Sequence, residues 1–298
     1  MHSENKGLWL GLVGVTLFAM TTPMTRLAVG SVADPQLPPL FVMAGRAALA
    51  AVLSAVYLLL TRAPIPRARH VPPLLASAAG TVIGFPLFLG LALRQVDAMH
   101  AAVVTGLLPL GTAVVAALVM RQRPSRGFWA CALLGFALVV GFALYAGASV
   151  TGADGLLLLA VALGAIGYVA GARLSAEWSA ERVICWVLVI STPLTWPLAW
   201  HTWPTQAVHP SAWLGFAYVT LFSMWIGFFA WYRGLALGGT MRVSQVQLVQ
   251  PFLTLLFAVP VLGERLDGVT LLFSLAVIAT VFVGKKMPTN LPLKQGPA

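Results

Sequence analysis

Two stretches decide the fold: "TGLLPLGTAVVAALVM" at residues 105–120 and "QLVQPFLTLLFAVPVL" at residues 247–262. Each is apolar over most of its length, each has a proline at its fifth position (Pro109 and Pro251), and the two stand 142 residues apart. About 20 apolar residues cross a bilayer's hydrocarbon core as a helix, so both read as membrane spans. A proline inside such a helix removes the hydrogen bond to the carbonyl four residues earlier and pushes that carbonyl aside. The same irregularity at one spacing points to a duplication.

The match extends outward from the prolines. At the same offset, "ALRQVDAMHAA" (92–102) lies over "GLALGGTMRVS" (234–244) and brings Met99 onto Met241. Upstream, "GFPLFLGLAL" (84–93) shares its character with "GFFAWYRGLAL" (227–237), with a slip of one residue. The chain divides on this reading into a first repeat, 1–149, a second repeat, 150–287, and a disordered tail, 288–298.

Composition agrees with a membrane protein. Of 298 residues, 59% are hydrophobic and 9% charged, where a soluble domain carries about 25% charged residues. Ten spans are expected, at 7–29, 37–60, 72–93, 98–120, 127–147, 154–173, 183–201, 212–234, 242–262 and 268–284. The short connections leave no room for a soluble domain. Cys131 and Cys185 fall within spans and read as small core hydrophobes.

The net charge of +10 is a topology signal rather than a nucleic-acid footprint. With the N-terminus in the cytoplasm, fourteen of eighteen basic residues lie on the cytoplasmic side, Arg62, Arg67, Arg121, Arg123 and Lys286 among them. Arg26, Arg94 and Arg265 lie on the other side, and Arg46 lies within a span. This positive-inside bias predicts an integral plasma (bacterial inner) membrane protein with both termini cytoplasmic. Five spans per repeat is an odd number, so the second repeat enters the bilayer inverted. Inverted repeats are typical of secondary transporters, whose substrate site lies near the midplane between the halves.

Three stretches carry a family resemblance: "FVMAGRAALAAVL" on the second span, "LALRQVDAMHAAVVTGLLPLGTAVVAALVMRQRP" across the third and fourth, and "YRGLALGGTMRVSQVQLVQPFLTLLFAVPVLGERL" across the eighth and ninth. The chain resembles the drug/metabolite transporter superfamily, and within it the EamA-type ten-helix carriers. Its nearest likeness there is to bacterial amino-acid and metabolite exporters of the YddG type, which take aromatic amino acids. The resemblance implies an inner-membrane exporter of small organic solutes working by alternating access. One departure is that the first repeat has "RQRP" where the second has "GERL", so the acid of that motif occurs once.

The residues themselves suggest a path. The carbonyls freed by Pro109 and Pro251 belong to Thr105 and Gln247, which are repeat partners. In hydrocarbon an unsatisfied carbonyl costs several kcal/mol, so these must face protein, a side-chain donor or a wet cavity. Thr105, Pro109 and Thr112 share one helix face; Gln247, Gln250, Pro251 and Thr254 share another. The fourth and ninth spans are expected to turn these faces toward each other, with Pro109 and Pro251 as hinge candidates. Interhelical hydrogen bonding that merely glues the bundle is the blander alternative.

Aromatic residues add candidates. Phe222, Trp225, Phe229 and Tyr232 form a stripe on the eighth span, opposite Phe85 and Phe88 on its repeat partner. That stripe could wall a substrate or face lipid. Trp9, Trp129, Trp203 and Trp213 read as interfacial anchors. Tyr168, set among Gly164, Gly167 and Gly171, could reach the cavity.

No acid or histidine lies mid-span: Asp97, Asp154, Glu264 and the others fall in loops, tails or span ends. A proton-coupled antiporter usually needs such a relay, so a carrier driven by the substrate gradient is expected. Arg46 is the one clear charge inside a span. It reads first as a structural arginine capping carbonyls near the outer end, and second as an anchor for a carboxylate.

The expectation is therefore an exporter of amino acids, aromatic ones included, or related metabolites. Its partners would be the small-molecule substrate and membrane lipids, with no nucleic acid, no cofactor and no metal, and a monomer would suffice. The fourth and ninth spans would rock against the first, third, sixth and eighth. A multidrug exporter of the same superfamily is the alternative, disfavoured for cationic drugs by the missing membrane carboxylate. From another class, a lipid scramblase would show a polar groove open to lipid rather than a central cavity. Catalysis is not expected, since there is no GxSxG, no HExxH and no pair of mid-membrane acids.

Overall fold

The structure, a computed structural model, describes residues 2–119, 123–147, 151–175, 177–238, 244–287 and 289–290. The described residues form ten apolar helical spans. They are α1 (Asn5–Val29), α2 (Pro39–Leu60), α3 (Ala68–Leu93), α4 (Ala98–Val119), α5 (Arg126–Gly147), α6 (Gly152–Leu174), α7 (Ala180–His201), α8 (Pro210–Trp231), α9 (244–262) and α10 (Gly268–Lys286). Helix α8 runs on to Gly238. Seven spans are long and apolar enough to cross a membrane by length and composition alone, and α5, α9 and α10 carry shorter apolar stretches. One two-residue strand pair, Arg123–Pro124 with Thr289–Asn290, joins the α4–α5 connection to the chain after α10. Met241, Arg121, Arg242 and the tail 291–298 lie outside the described residues, as do the side chains of Arg123 and Tyr232.

Large apolar side chains such as Leu59, Leu133, Leu256 and Leu272 point outward and are exposed. In water such a surface would drive aggregation, whereas in a bilayer it is the lipid-facing side.

Packing repeats in the two halves. Helix α1 packs along α8, and their repeat partners α6 and α3 pack along each other. The self-paired contacts follow the same rule, with α2 on α7, α5 on α10 and α4 on α9. This is the pattern a pseudo-two-fold axis between inverted halves produces. Glycines set the closest approach: a Cβ on Gly80 would meet the Gly167 backbone at 2.6 Å, and one on Gly234 would meet the Gly11 nitrogen at 2.6 Å. Thus α3–α6 and α8–α1 touch backbone to backbone, the use small residues have in membrane bundles.

The spans are not continuous α-helices. Residues Ala78–Gly84 of α3 and Val219–Ile226 of α8 wind as π-helix, at corresponding places in the two repeats. Long π segments are rare and concentrate at functional sites. Helix α4 breaks after Thr105 and resumes at Leu108, and α9 is a 3-10 helix over Ser244–Val249 before its α-helix begins at Gln250. Pro109 and Pro251 therefore stand in the first turn of a new helical piece, where a missing N–H costs least. They mark where broken helices restart, a refinement of the kink expected from sequence.

At two other prolines a threonine hydroxyl takes up the freed carbonyl. Pro23 cannot serve the Ala19 carbonyl; α1 breaks there, between Ala19 and Thr21, and the Thr254 hydroxyl donates to that carbonyl at 3.0 Å. In α7, Pro193 strands the Val189 carbonyl, and the Thr192 hydroxyl donates to it at 2.7 Å.

Candidate functional site

Where α1, α2, α3, α4, α6, α8 and α9 meet, the breaks and π turns surround a cavity of about 70 Å³. One water needs roughly 10–15 Å³ by the same measure, so the cavity has room for a few waters or one polar group of a solute, and a whole solute needs it to widen as the halves move. Repeat partners line it in pairs: Thr81 with Ser223, Thr105 with Gln247 and Pro109 with Pro251, each pair 142 residues apart. Phe85 and Phe228, one residue further apart, form a fourth. A little over half of the lining is thus related by the axis between halves.

Of the residues singled out from sequence, Arg46, Phe85, Thr105, Pro109, Tyr168, Gln247, Gln250, Pro251 and Thr254 come together on this cavity. Thr112 is not in its lining; its hydroxyl bonds back to the Leu108 carbonyl at 2.8 Å. Trp225 and Phe229 are also outside the lining and pack on one another with ring centroids 4.8 Å apart, Phe229 also meeting Tyr57 at 5.1 Å. Phe222, lower on the same stripe, is 39% exposed. Of the expected interfacial tryptophans, Trp9, Trp129 and Trp203 are exposed. Trp213 instead belongs to a half-buried aromatic cluster with Phe41, Trp203 and Phe216.

Sequence reasoning missed Phe18, Thr21, Thr22, Thr81, Ser223 and Phe228 in the lining. The offset, with its one-residue slip, was the available signal for Phe228 as the partner of Phe85; Ser223 pairs with Thr81, which was missed as well. Thr21 donates to Ser223 at 2.8 Å and joins α1 to the π turn of α8 across the halves.

Arg46 departs from its first sequence reading. Its side chain is 4% exposed. Among the described residues it hydrogen-bonds no carbonyl: Nη2 meets the Met224 sulfur at 3.3 Å and Nε has no partner. Tyr168 lines the same cavity. No aspartate or glutamate lines the cavity among the described residues.

Carbonyl capping falls instead to the two arginines near the other ends of α1 and α3. Arg94, just past α3, donates to the Val29 and Leu37 carbonyls at 3.2 and 3.1 Å. Arg26, near the end of α1, donates to the Leu93 and Gly30 carbonyls. Each span's arginine thus serves the last carbonyls of the other.

The "LGER" motif works at this same end. Gly263 takes φ +70° as the left-handed cap of α9. Glu264 then accepts from the Ala98 and Met99 N–H groups at 2.7 and 2.9 Å, capping α4 of the other half. Burial pushes the Glu264 carboxyl up from its ordinary value against the pull of those donors. Nearby, His100 bonds Asp154 at 2.6 Å, and Asp154 is 2% exposed and also accepts from the Thr151 N–H and hydroxyl. At the opposite end, Glu177 bonds His70 at 3.1 Å and Arg69 at 3.0 Å. None of these carboxylates lines the central cavity. Among the described residues no group of three or more His, Cys, Asp or Glu is placed to hold a metal.

Ten spans in two inverted halves around a polar cavity at their junction define a polytopic membrane protein of the secondary-transporter kind. The chain belongs to the EamA-like transporter family, whose profile matches residues 5–144 and 151–283. It is 42% identical over 289 residues to the uncharacterized transporter YdeK of Bacillus subtilis strain 168, covering 96% of this chain and 99% of that protein. A crystal structure of another protein superposes with a TM-score of 0.63 over 94% of this chain and 96% of that one, at 18% identity, a likeness of fold alone.

Proposed function

We propose that the protein exports amino acids, aromatic ones included, or related small metabolites across the bacterial inner membrane by alternating access, with both termini in the cytoplasm. The observation that carries this is the cavity lined by repeat-related pairs where the inverted halves meet. Inverted halves can rock against each other and expose one midplane site to each side in turn. Phe18, Phe85 and Phe228 supply an aromatic wall, and the threonines and glutamines supply neutral hydrogen-bonding groups. A central cavity favours a solute carrier over a lipid scramblase, which would need a polar groove open to the acyl chains. The carboxylates gather at the bundle ends, which supports transport driven by the substrate gradient rather than by a mid-membrane proton relay.

Purified protein in liposomes tests this. Radiolabelled aromatic amino acid should equilibrate down its gradient with no pH difference imposed, and Gln247→Ala or Gln250→Ala should slow it at unchanged protein level. Flux that needs a proton gradient would remove the uncoupled mechanism. Flux of none of the amino acids and metabolites tried would remove the proposal.

A further inference from the structure

Of the cavity residues that have no repeat partner in the lining, Arg46 is the one that carries a charge among the described residues. The position 142 residues beyond Arg46 is Leu188, which is fully buried in an apolar cluster. Arg46 is nearly as buried, at 4% exposed, yet carries a charge. An unpaired ion in a membrane interior costs several kcal/mol and persists only where something compensates it. Among the described residues no carboxylate does so, and the thioether of Met224 is a weak acceptor.

A second feature points the same way. The helical pieces Leu108–Val119 and Gln250–Leu262 both begin at the cavity, with Leu108, Pro109, Gln250 and Pro251 in its lining. A helix start carries partial positive charge and favours anions, most clearly here at Leu108, since Gln250 continues directly from a 3-10 turn. In carriers with broken spans such starts face the substrate's anionic group.

The geometry points to Arg46 as the anchor for a carboxylate on the transported solute, held by the guanidinium in a cavity that Tyr168 also lines. A carboxylate matches the guanidinium's planar fork of donors. The rest of the solute then lies toward Phe18, Phe85 and Phe228. With a fixed positive charge and only neutral acceptors, the site admits monocarboxylates and zwitterions and disfavours organic cations. This rests on the transport reading only in identifying the cavity's occupant with the transported solute.

Binding to the full chain in detergent, by calorimetry and ligand-dependent melting, tests it without flux. The probes are phenylacetate, phenylalanine, phenethylamine and inorganic phosphate. Phenylacetate and phenylalanine should bind, and their ratio separates an organic-acid carrier from an amino-acid carrier. Phenethylamine and phosphate should not compete. Arg46→Met should weaken phenylacetate at least roughly thirtyfold. The ligand-free R46M protein should melt at or above the wild-type temperature, because an unpaired buried charge has been removed. Arg46→Lys, which keeps the charge without the fork, should bind at an intermediate level.

R46M binding phenylacetate like the wild type would overturn the proposal, as would phenethylamine or phosphate competing equally. A ligand-free R46M protein melting well below the wild type would also overturn it, by giving Arg46 a structural role. Flux of solutes lacking a carboxylate, unaffected in R46M, would sink the anchor and leave the transport reading standing. Carboxylate binding in a protein that moves nothing in liposomes would support the anchor and count against transport.

Discussion

The hydroxyl of Thr254 reaches the Ala19 carbonyl that Pro23 cannot serve, and in hydrocarbon that carbonyl has no water to turn to. Thr254→Val should therefore cost about 1–3 kcal/mol, read as a lower melting temperature in micelles. In a Pro23→Ala background the restored N–H can take the carbonyl, and the same change should cost less than about 1 kcal/mol. Equal costs in both backgrounds would show that the hydroxyl matters for another reason. Glu177 works at the water's edge. The His70 hydrogen bond and then the Arg69 charge hold its carboxyl below the ordinary range. A carboxyl with a lowered folded value contributes stability above the unfolded value and loses it as pH falls through the folded one. Glu177→Gln should melt slightly lower than wild type at neutral pH, less so in high salt because the pair is exposed. The two curves should converge in acid; a gap that widens as pH falls would contradict the assignment.

Among the elements, existence and extent could be read from sequence, because each span is a long apolar run bounded by charged or proline-rich connections. Helical continuity could not. A π turn needs no signature residue, and nothing local distinguishes Ala78–Gly84 or Val219–Ile226 from ordinary helix. Pro109 and Pro251 were visible as breakers, yet whether a proline kinks a helix or starts a new piece depends on the hydrogen bonds around it. Glu264 looked like a loop charge, because the N–H groups it caps lie 166 and 165 residues away. The close contacts between spans are testable. Gly167→Ala would place a Cβ 2.7 Å from the Thr81 nitrogen, where the backbone cannot yield cheaply. It should cost about 1–3 kcal/mol and cut the yield of folded protein. Gly155→Ala, with nothing within 4 Å, should be neutral. Similar yields for both would mean that α3 and α6 pack less closely than described.

Over the whole molecule, one offset read from two prolines anticipates that the fourth and ninth spans face each other, whereas the other pairings of spans were not read from sequence and emerge from the packing of the inverted halves. Four of the cavity's residues, Thr105, Gln247, Pro109 and Pro251, were found that way. Thr21, Thr22 and Phe18 were not, since they reach the cavity through the break in α1, and Trp225 and Phe229 share a helix with Ser223 but face another way. Periodicity along one span gives a face, and only packing decides which face meets the axis. On the transport proposal, one central site is reached from both sides of the membrane. A single cysteine at position 250, with Cys131 and Cys185 replaced, can be challenged with a membrane-impermeant maleimide from each face of sealed vesicles. Labelling from both faces, slowed in each case by a transported solute, is the predicted result. Labelling from one face only, whatever solute is present, would contradict alternating access at this cavity.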